Sequence, residues 1–375
     1  MDQTTNPQLP LRVLFVSRKW PPAVGGMETY SAELCAELSQ LVTLSKRVLP
    51  GRANGYPPHL GSLLYFIVST AASLLLRGGR YDVVHFGDLV LFPLAWLHAQ
   101  RHRKARRVIT VHGLDLLYGH RRGLGPALYR RFLNWACHRS SRAVDCYIAN
   151  SRNTARIAQE TGLAPVTAVP LGVRLRHAPP RLSPPKEPAY ILFVGRLVPR
   201  KGAAWFASQV LPQLPPPLTL HIVGKPWDQK ETSALQANPR VQLLGYLDQP
   251  GLDRERAGCL AVVMPNRSSR DQTDVEGFGI AALEAARDGI PIIASNIEGI
   301  TDAIVDGKTG FLVSENDVSE WQQRISAIQA WSPAHRAEYA ETAIAAVAAR
   351  YSWHRVASET VRVYQEDIAS IDVSA

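Results

Sequence analysis

Apolar residues come in short runs separated by longer stretches of helical spacing. The first run is Leu11 to Val16, followed by Gly25-Gly26 and a helical pattern from Met27 to Leu38. Tyr81–Phe86, Arg107–Val111, Cys146–Ala149 and Val166–Val169 read as further strands, with helical stretches between them. Strands alternating with helices of this length predict a parallel sheet with right-handed crossovers. The alternation stops at His177-Ala178-Pro179-Pro180, and Pro184-Pro185 and Pro188 extend a proline-rich stretch that reads as a linker. It then restarts. Strands are predicted at Tyr190–Val194, Leu218–Val223, Val241–Leu244, Leu260–Met264 and Ile290–Ala294, and helices at Ala203–Leu211 and Ile280–Arg287. Tyr351–Ile368 predicts a terminal helix, through Trp353, Val356, Val361, Val363 and Tyr364. The pattern implies two Rossmann-like α/β domains of similar size, residues 1–176 and 177–352. Open parallel sheets bind ligands beyond the carboxyl ends of their strands, so the two crevices are expected to face one cleft.

Composition adds little to this picture, but charge adds a good deal. At 375 residues the chain is long enough for two domains. Four scattered cysteines form no CxxC pair and match no zinc framework. They suit a reducing, cytoplasmic compartment as small core residues. The opening MDQTTNPQLP lacks the basic-then-apolar order of a signal peptide. The net charge of +10 is uneven: residues 1–176 hold 23 Lys/Arg against 9 Asp/Glu, and the remainder is mildly acidic. The basic residues cluster at 101–107, 120–122, Arg130-Arg131 and His138-Arg139. An anionic partner for the first half follows, either phospholipid headgroups or nucleic acid. Because no stacking aromatic platform is interleaved with the basic residues, nucleic acid is set aside. Leu60–Leu76 is the most apolar stretch and reads as a buried or interfacial helix.

Four groups could carry chemistry. Gly25-Gly26 opens the first helix, where glycines let an anion approach free N–H groups, although the dinucleotide fingerprint GxGxxG is absent. Arg196 and Lys201, in GRLVPRKG after a predicted strand, could hold a diphosphate as a fork and a point charge. Glu276 and Glu284 are eight residues apart. On one continuous helix that is about 12 Å, more than the roughly 5–9.5 Å of a glycosidase pair. They therefore read as two anchors on one long ligand. His112-Gly113 ends a strand at its carboxyl side.

Taken together these residues resemble glycosyltransferase family four, a retaining GT-B family, in its mannosyltransferase-like group. The resemblance covers nearly the whole chain. It rests on Glu276-Gly277-Phe278-Gly279 through Glu284, on VGRLVPRKG, on SRKWPPAVGGMET and on AIVDGKTGFLV at 303–313. It implies that Arg196 and Lys201 hold the donor diphosphate, Glu284 the ribose hydroxyls and Glu276 the sugar. Backbone around Phe278, Gly279 and Ile280 would touch sugar and phosphate, with His112 beside the transferred sugar and Gly25-Gly26 close by. The base would sit near Gly224-Lys225 and Tyr246-Leu247, and the terminal helix would cross back to the first domain. One departure is Glu298-Gly299-Ile300-Thr301-Asp302, where the family usually has Gly-Gly-x-Pro-Glu; it puts any role of Asp302 in doubt.

The implied reaction moves a hexose-type sugar from a UDP- or GDP-sugar to a lipid-linked or cell-surface glycan, such as lipopolysaccharide, exopolysaccharide or glycolipid. No Asp-x-Asp motif is present, so no metal and no cofactor beyond the nucleotide sugar is expected. Retention would come from same-face attack, with the leaving phosphate accepting the acceptor's proton. The rival within this fold is a sugar-nucleotide epimerase, which needs the donor site but no acceptor.

Overall fold

The computed structural model describes residues 10–23, 25–176, 185–268, 277–297 and 299–366. The chain divides into two units, Met1–Leu171 with Trp353–Ala375, and Gly172–Ser352. Each is a parallel six-stranded sheet flanked by helices.

Unit 1 runs β1 (Arg12–Trp20), α1 (Gly26–Leu41), β2 (Thr43–Pro50), α2 (Leu60–Arg77), β3 (Val83–Phe86), α3 (Phe92–Arg101), β4 (Arg106–Val111), α4 (Gly113–Leu117), α5 (Leu124–Ala143), β5 (Cys146–Ala149), α6 (Arg152–Glu160) and β6 (Val166–Ala168). The sheet order is β2-β1-β3-β4-β5-β6. Val13–Val16, Val83–Phe86 and Val108–Val111 are fully buried runs, as central parallel strands covered on both faces must be. β2 has no such run. Its Ser45, Lys46 and Arg47 fit an edge position, and this strand escapes a search for apolar runs. Right-handed crossovers put α1 on one face and α2, α3 and α5 on the other; in accord with this, α3 packs against both α2 and α5.

Unit 2 runs β7 (Tyr190–Val194), α7 (Ala203–Trp205), β8 (Thr219–Val223), α8 (Gln229–Gln236), β9 (Val241–Gly245), α9 (Gln249–Gly258), β10 (Ala261–Met264), α10 (Ile280–Arg287), β11 (Ile292–Ser295), α11 (Ile300–Ala303), β12 (Phe311–Val313), α12 (Val318–Gln329) and α13 (Pro333–Arg350). The sheet order is β12-β11-β10-β7-β8-β9. The predicted helix at 203–211 begins as α7, continues through a wider turn to Val210 and closes in a tighter one at Leu211–Gln213. Asp228, Asp248, Asp317 and Ser332 cap α8, α9, α12 and α13, each side chain accepting a hydrogen bond from a first-turn N–H. Finally α14 (Trp353–Gln365) belongs to unit 1, where it packs on α1.

Three expectations change. The 276–284 segment is not one helix: α10 starts at Ile280, and Gly279 sits in the left-handed region at φ 83°. The 12 Å spacing therefore does not apply, and Glu276 lies outside the described residues. Leu60–Leu76 is a helix, but of its two readings, buried or interfacial, burial falls away, since most of α2 faces outward. Cys137 is only half-buried, whereas Cys35, Cys146 and Cys259 are core residues. Residues 177–184 of the predicted linker also lie outside the description.

Candidate functional site

In unit 2 the chain leaves β7 toward β8 and β9, then returns to place β10 on the other side of β7. Neighbouring loops diverge at such a switch point and leave a crevice beyond the carboxyl ends. Gly195 through Gly202 follows β7 at this point, and Pro265–Ser268 follows β10. The two are pressed together: a Cβ at Gly202, which has φ 72°, would lie 1.8 Å from the Pro265 carbonyl oxygen. Arg267 N–H donates to Arg200 O (2.7 Å). On the other side a Cβ at Gly224 would lie 1.8 Å from Gly195 O, and Leu197 N–H donates to Lys225 O (3.1 Å). Gly224 N–H donates to Gly245 O (2.8 Å). Glycines at 202 and 224 thus allow the loops after β7, β8, β9 and β10 to lie side by side.

These loops bring together Arg196, Lys201, Lys225 and Leu247 of the predicted set. Arg196 is exposed, its guanidinium 5.3 Å from the Trp227 ring centroid. Lys225 is exposed beside Tyr246 at 5.1 Å. Trp227 and Tyr246 are themselves 66% and 68% exposed, so two cation–aromatic pairs stand in solvent with little else to cover them. Lys201 is half-buried, directly before Gly202, and Leu247 is half-buried after β9. The helix start after Lys201 offers less than the sequence suggested. Glu231 Oε1 accepts from Ala204 N–H (2.9 Å) and so fills that position with the protein's own carboxylate. Burial raises the Glu231 carboxyl pKa, and the Ala204 bond opposes that rise.

The Gly277-Phe278-Gly279 segment leads into α10. Phe278 is a core residue whose ring meets Tyr351 edge-on at 6.3 Å, so only its backbone can face a ligand. Gly279 lies against Met264 and Ile300, and Ile280 is half-buried at the start of α10. Glu284, one turn further on, is held from behind: Arg256 Nη1 donates to its Oε2 (2.7 Å). Arg256 is 2% exposed and also pairs with Asp253 (2.7 Å) and Asp288 (3.3 Å). Asp288 in turn accepts from Arg176 and Arg287. Glu284 is therefore a partly exposed carboxylate on a buried ionic support, an arrangement that fixes its direction. Nothing in the residues around Arg256 signals this role in the sequence. In the departing loop, Asp302 sits in the short α11, and its carbonyl accepts from Tyr351 Oη (3.0 Å).

The corresponding switch point of unit 1 lies between β1 and β3. Gly26 is exposed, and a Cβ there would meet nothing within 4 Å. Packing does not explain this glycine. Gly25 differs, because a Cβ would strike the Glu28 carboxylate at 2.4 Å. Glu28 is buried and pairs with Lys19 (3.4 Å) at the start of α1. His112, after β4, is buried. Its Nε2 is 3.1 Å from Gly87 O, and a carbonyl can only accept, so Nε2 carries the proton. Nδ1 is then the acceptor for Asn150 Nδ2 (3.4 Å). Burial lowers the His112 pKa, against the Gly87 bond, which raises it. The imidazole is thus neutral with both nitrogens engaged, and it offers a ring surface rather than a free acid or base.

Two buried carboxylates stand nearby that sequence motifs did not reveal. Asp88 accepts from Arg18 Nε (3.1 Å) and Val90 N–H (3.0 Å). Asp115 accepts from His112 N–H (3.2 Å), and its pKa is raised by burial and then by the charge of Asp88. A polar chain runs deeper. Tyr364 Oη is 2.6 Å from His85 Nδ1, His85 Nε2 is 2.7 Å from Thr110 Oγ1, and Thr110 is 3.1 Å from Tyr30 Oη. The Tyr30 ring meets His112 edge-on at 5.3 Å. Helix α14 is thereby tied to the floor of the unit 1 site. Among the described residues no cluster of His, Cys, Asp and Glu is grouped to hold a metal ion.

Comparison with known proteins bears on both units. Residues 24–177 match the family described as Glycosyltransferase Family 4, and residues 188–330 match the one described as Glycosyl transferases group 1. Glycogen synthase of Mycobacterium tuberculosis is 26% identical, with 94% of each chain covered. D-inositol 3-phosphate glycosyltransferase of Thermobispora bispora is 28% identical over 84% of this chain and 77% of its own. Among solved structures, HepE of Anabaena in complex with UDP-glucose superposes with a TM-score of 0.67 at 17% identity, covering 95% of this chain and 99% of that one. Sucrose-phosphate synthase of Thermosynechococcus elongatus gives 0.68 at 18%, covering 94% and 98%. At such identities the two structures speak for the fold.

Proposed function

Because this chain belongs to the family-four glycosyltransferases of GT-B fold, we propose that it is a retaining enzyme that takes a hexose from a UDP- or GDP-sugar. The observation that carries this reading is the group of exposed cations on the touching loops after β7 and β8, with Glu284 set on its buried support in the helix that follows β10. Arg196 and Lys201 hold the diphosphate, and Glu284 accepts from the ribose hydroxyls. Lys225, Tyr246 and Leu247 border the base. Glu276 and the backbone of Phe278, Gly279 and Ile280 bind the sugar. HepE of Anabaena has been seen with UDP-glucose, which supports a nucleotide-sugar donor.

In the transfer, the bond between the anomeric carbon and the β-phosphate oxygen breaks. An acceptor hydroxyl bonds to that carbon on the same face, and its proton passes to the departing phosphate. Negative charge grows on the diphosphate as the bond breaks, so fixed cations aimed there favour the transition state over the ground state. Arg196 and Lys201 do this without a metal. Gly26 and the neutral ring of His112 border the sugar. The acceptor is a lipid-linked or cell-surface glycan, met by unit 1 on the cytoplasmic side of a membrane.

The test is thermal stabilisation by a panel of UDP- and GDP-sugars, with and without chelator. A ligand at 100 times its dissociation constant adds roughly 2.7 kcal/mol. A response to one nucleotide class, unchanged by chelator, is expected. No response to any of them would overturn the donor site, and epimerised donor without acceptor would replace transfer by epimerisation.

A further inference from the structure

Helix α2 carries an apolar face on its outer side as well as its inner one. Two of its hydroxyl groups face the protein: Arg47 Nε donates to Thr70 Oγ1 (2.8 Å) and Arg47 Nη2 to Ser69 Oγ (2.9 Å). Five of its large apolar residues face away. Leu60, Leu64, Tyr65, Val68 and Leu76 are between 62% and 81% exposed. Leu60, Leu64, Val68, Ala72 and Leu76 recur every four residues and form one inclined stripe across the outward half of the helix, with Tyr65 beside it. No charged residue occurs from Leu60 to Leu76. A stripe this long and unbroken exceeds the scattered apolar exposure usual on a soluble surface.

The C-terminal end of this stripe meets a basic cleft. Leu76 is followed by Arg77 and Arg80. His102 Nε2 is 3.2 Å from the carbonyl of Leu75, which joins the end of α3 to the end of α2. There, a cavity of about 460 Å³ is lined by Arg12, Arg101, His102, Arg103 and Lys104. One carboxylate, Asp82, also lines it and is already held by Arg12 Nη2 (2.7 Å). The cavity therefore keeps a cationic surplus at the foot of an apolar helix.

We propose that α2 lies in the plane of an anionic bilayer, its leucine stripe among the acyl chains, with a lipid phosphate headgroup in the cleft of Arg101, Arg103 and Lys104. The proposal deepens, and rests on, the reading of unit 1 as the side that meets a membrane-borne acceptor. Spanning is excluded by the packing. Eighteen residues reach about 27 Å, close to a hydrocarbon core, but Phe66, Thr70 and Leu74 are buried against unit 1, and Arg47 would be stripped of its partners. An in-plane helix keeps those contacts and buries only the exposed row. Charge complementarity selects the anionic bilayer over a neutral one, since juxtamembrane Lys and Arg add attraction to acidic lipids.

The experiment is flotation of the full chain with vesicles of phosphatidylglycerol and phosphatidylcholine, or of phosphatidylcholine alone, at low and high salt. The protein is expected to float with the anionic vesicles, with salt weakening the association. Leu64→Ser/Val68→Ser should lower partitioning at least about tenfold, because two aliphatic groups no longer leave water. Arg103→Glu/Lys104→Glu should lower it by about tenfold or more on anionic vesicles alone. All four positions lie outside the donor site, and thermal melts check that the variants fold. No flotation in either salt condition overturns the proposal, as does flotation unchanged by Leu64→Ser/Val68→Ser. A concentration-dependent dimer abolished by that variant assigns the stripe to a second copy and also overturns it. Nucleotide-sugar melts on the same samples separate the two readings. Flotation without a nucleotide response keeps this proposal and removes the donor site; a nucleotide response without flotation does the reverse.

Discussion

The switch points of the two units sit on similar sheets and carry opposite chemistry. In unit 2 the loops after β7 and β8 put Arg196 and Lys225 into solvent beside exposed aromatic rings. In unit 1 the matching region holds Glu28, Asp88, His112 and Asp115, all buried. The exposed cations suit a multiply charged ligand that arrives from solution. The buried carboxylates and neutral histidine suit a shaped wall that recognises hydroxyl groups. Strand order places a crevice in each unit, but it does not say what the crevice binds. That is decided by which loop residues are buried and which partners hold them.

The largest test of this contrast removes a buried support. Arg256→Ala removes the buried guanidinium that holds Glu284, while Asp253 and Asp288 keep Arg176, and should cost about 3–5 kcal/mol in a urea titration. A cost below about 1 kcal/mol would mean that the exposed face of Glu284 needs no such support. Next come the two cations of the loop after β7. Arg196→Ala and Lys201→Ala should each raise the transfer barrier by about 2–4 kcal/mol, read as kcat/KM, with the urea midpoint nearly unchanged. Near-normal turnover in both would end the diphosphate assignment.

Glycines sharpen the comparison on a smaller scale. Gly202→Ala and Gly224→Ala force a Cβ to within 1.8 Å of a carbonyl oxygen before relaxation, and should cost about 1–3 kcal/mol of stability. Gly26→Ala faces open space and should leave stability within about 0.5 kcal/mol. Any loss of turnover in Gly26→Ala would then report on a ligand rather than on packing. Unchanged turnover would remove Gly26 from the site.

The gentlest probe is pH. His85 is fully buried, and burial drives its pKa down from the ordinary range to about 3, with the neighbouring His112 adding to the fall. The folded state therefore binds fewer protons than the unfolded one. Its stabilisation is complete above the unfolded pKa near about 6.5 and is lost as pH falls toward the folded value, at up to about 1.4 kcal/mol per pH unit. His85→Gln should flatten the decline of Tm between neutral pH and pH about 5. Asp115 acts in the opposite sense. Burial and the charge of Asp88 raise its pKa, so the folded state holds the proton longer and stability falls as pH rises through that range. Asp115→Asn should remove that part of the slope.

The sequence was most legible where burial on both faces forced a continuous run. Cys146–Ala149 and Tyr190–Val194 were read at their observed limits, as was the amphipathic helix Ile280–Arg287. It was least legible at edges. β2 interleaves polar residues because one of its sides lacks a neighbouring strand, and β12 is three residues long. Gly279 broke the expected helix between positions 276 and 284, because a left-handed residue cannot continue one.

The candidate site divides along the same line. Arg196, Lys201 and the GFG segment were visible because their residue types and local spacing carry the signal. Arg256 behind Glu284, Glu231 on Ala204, the buried pair Asp88 and Asp115, and the outward turn of α2 were not visible. Each joins residues distant in sequence or depends on which face of a helix is covered. Local order along the chain determined the elements, the doubly wound pattern and the family motifs, since these depend on neighbours within a few residues. Only the tertiary structure decided which charges are buried, which are paired and which apolar face is left outside, because burial is set by what the rest of the chain packs against.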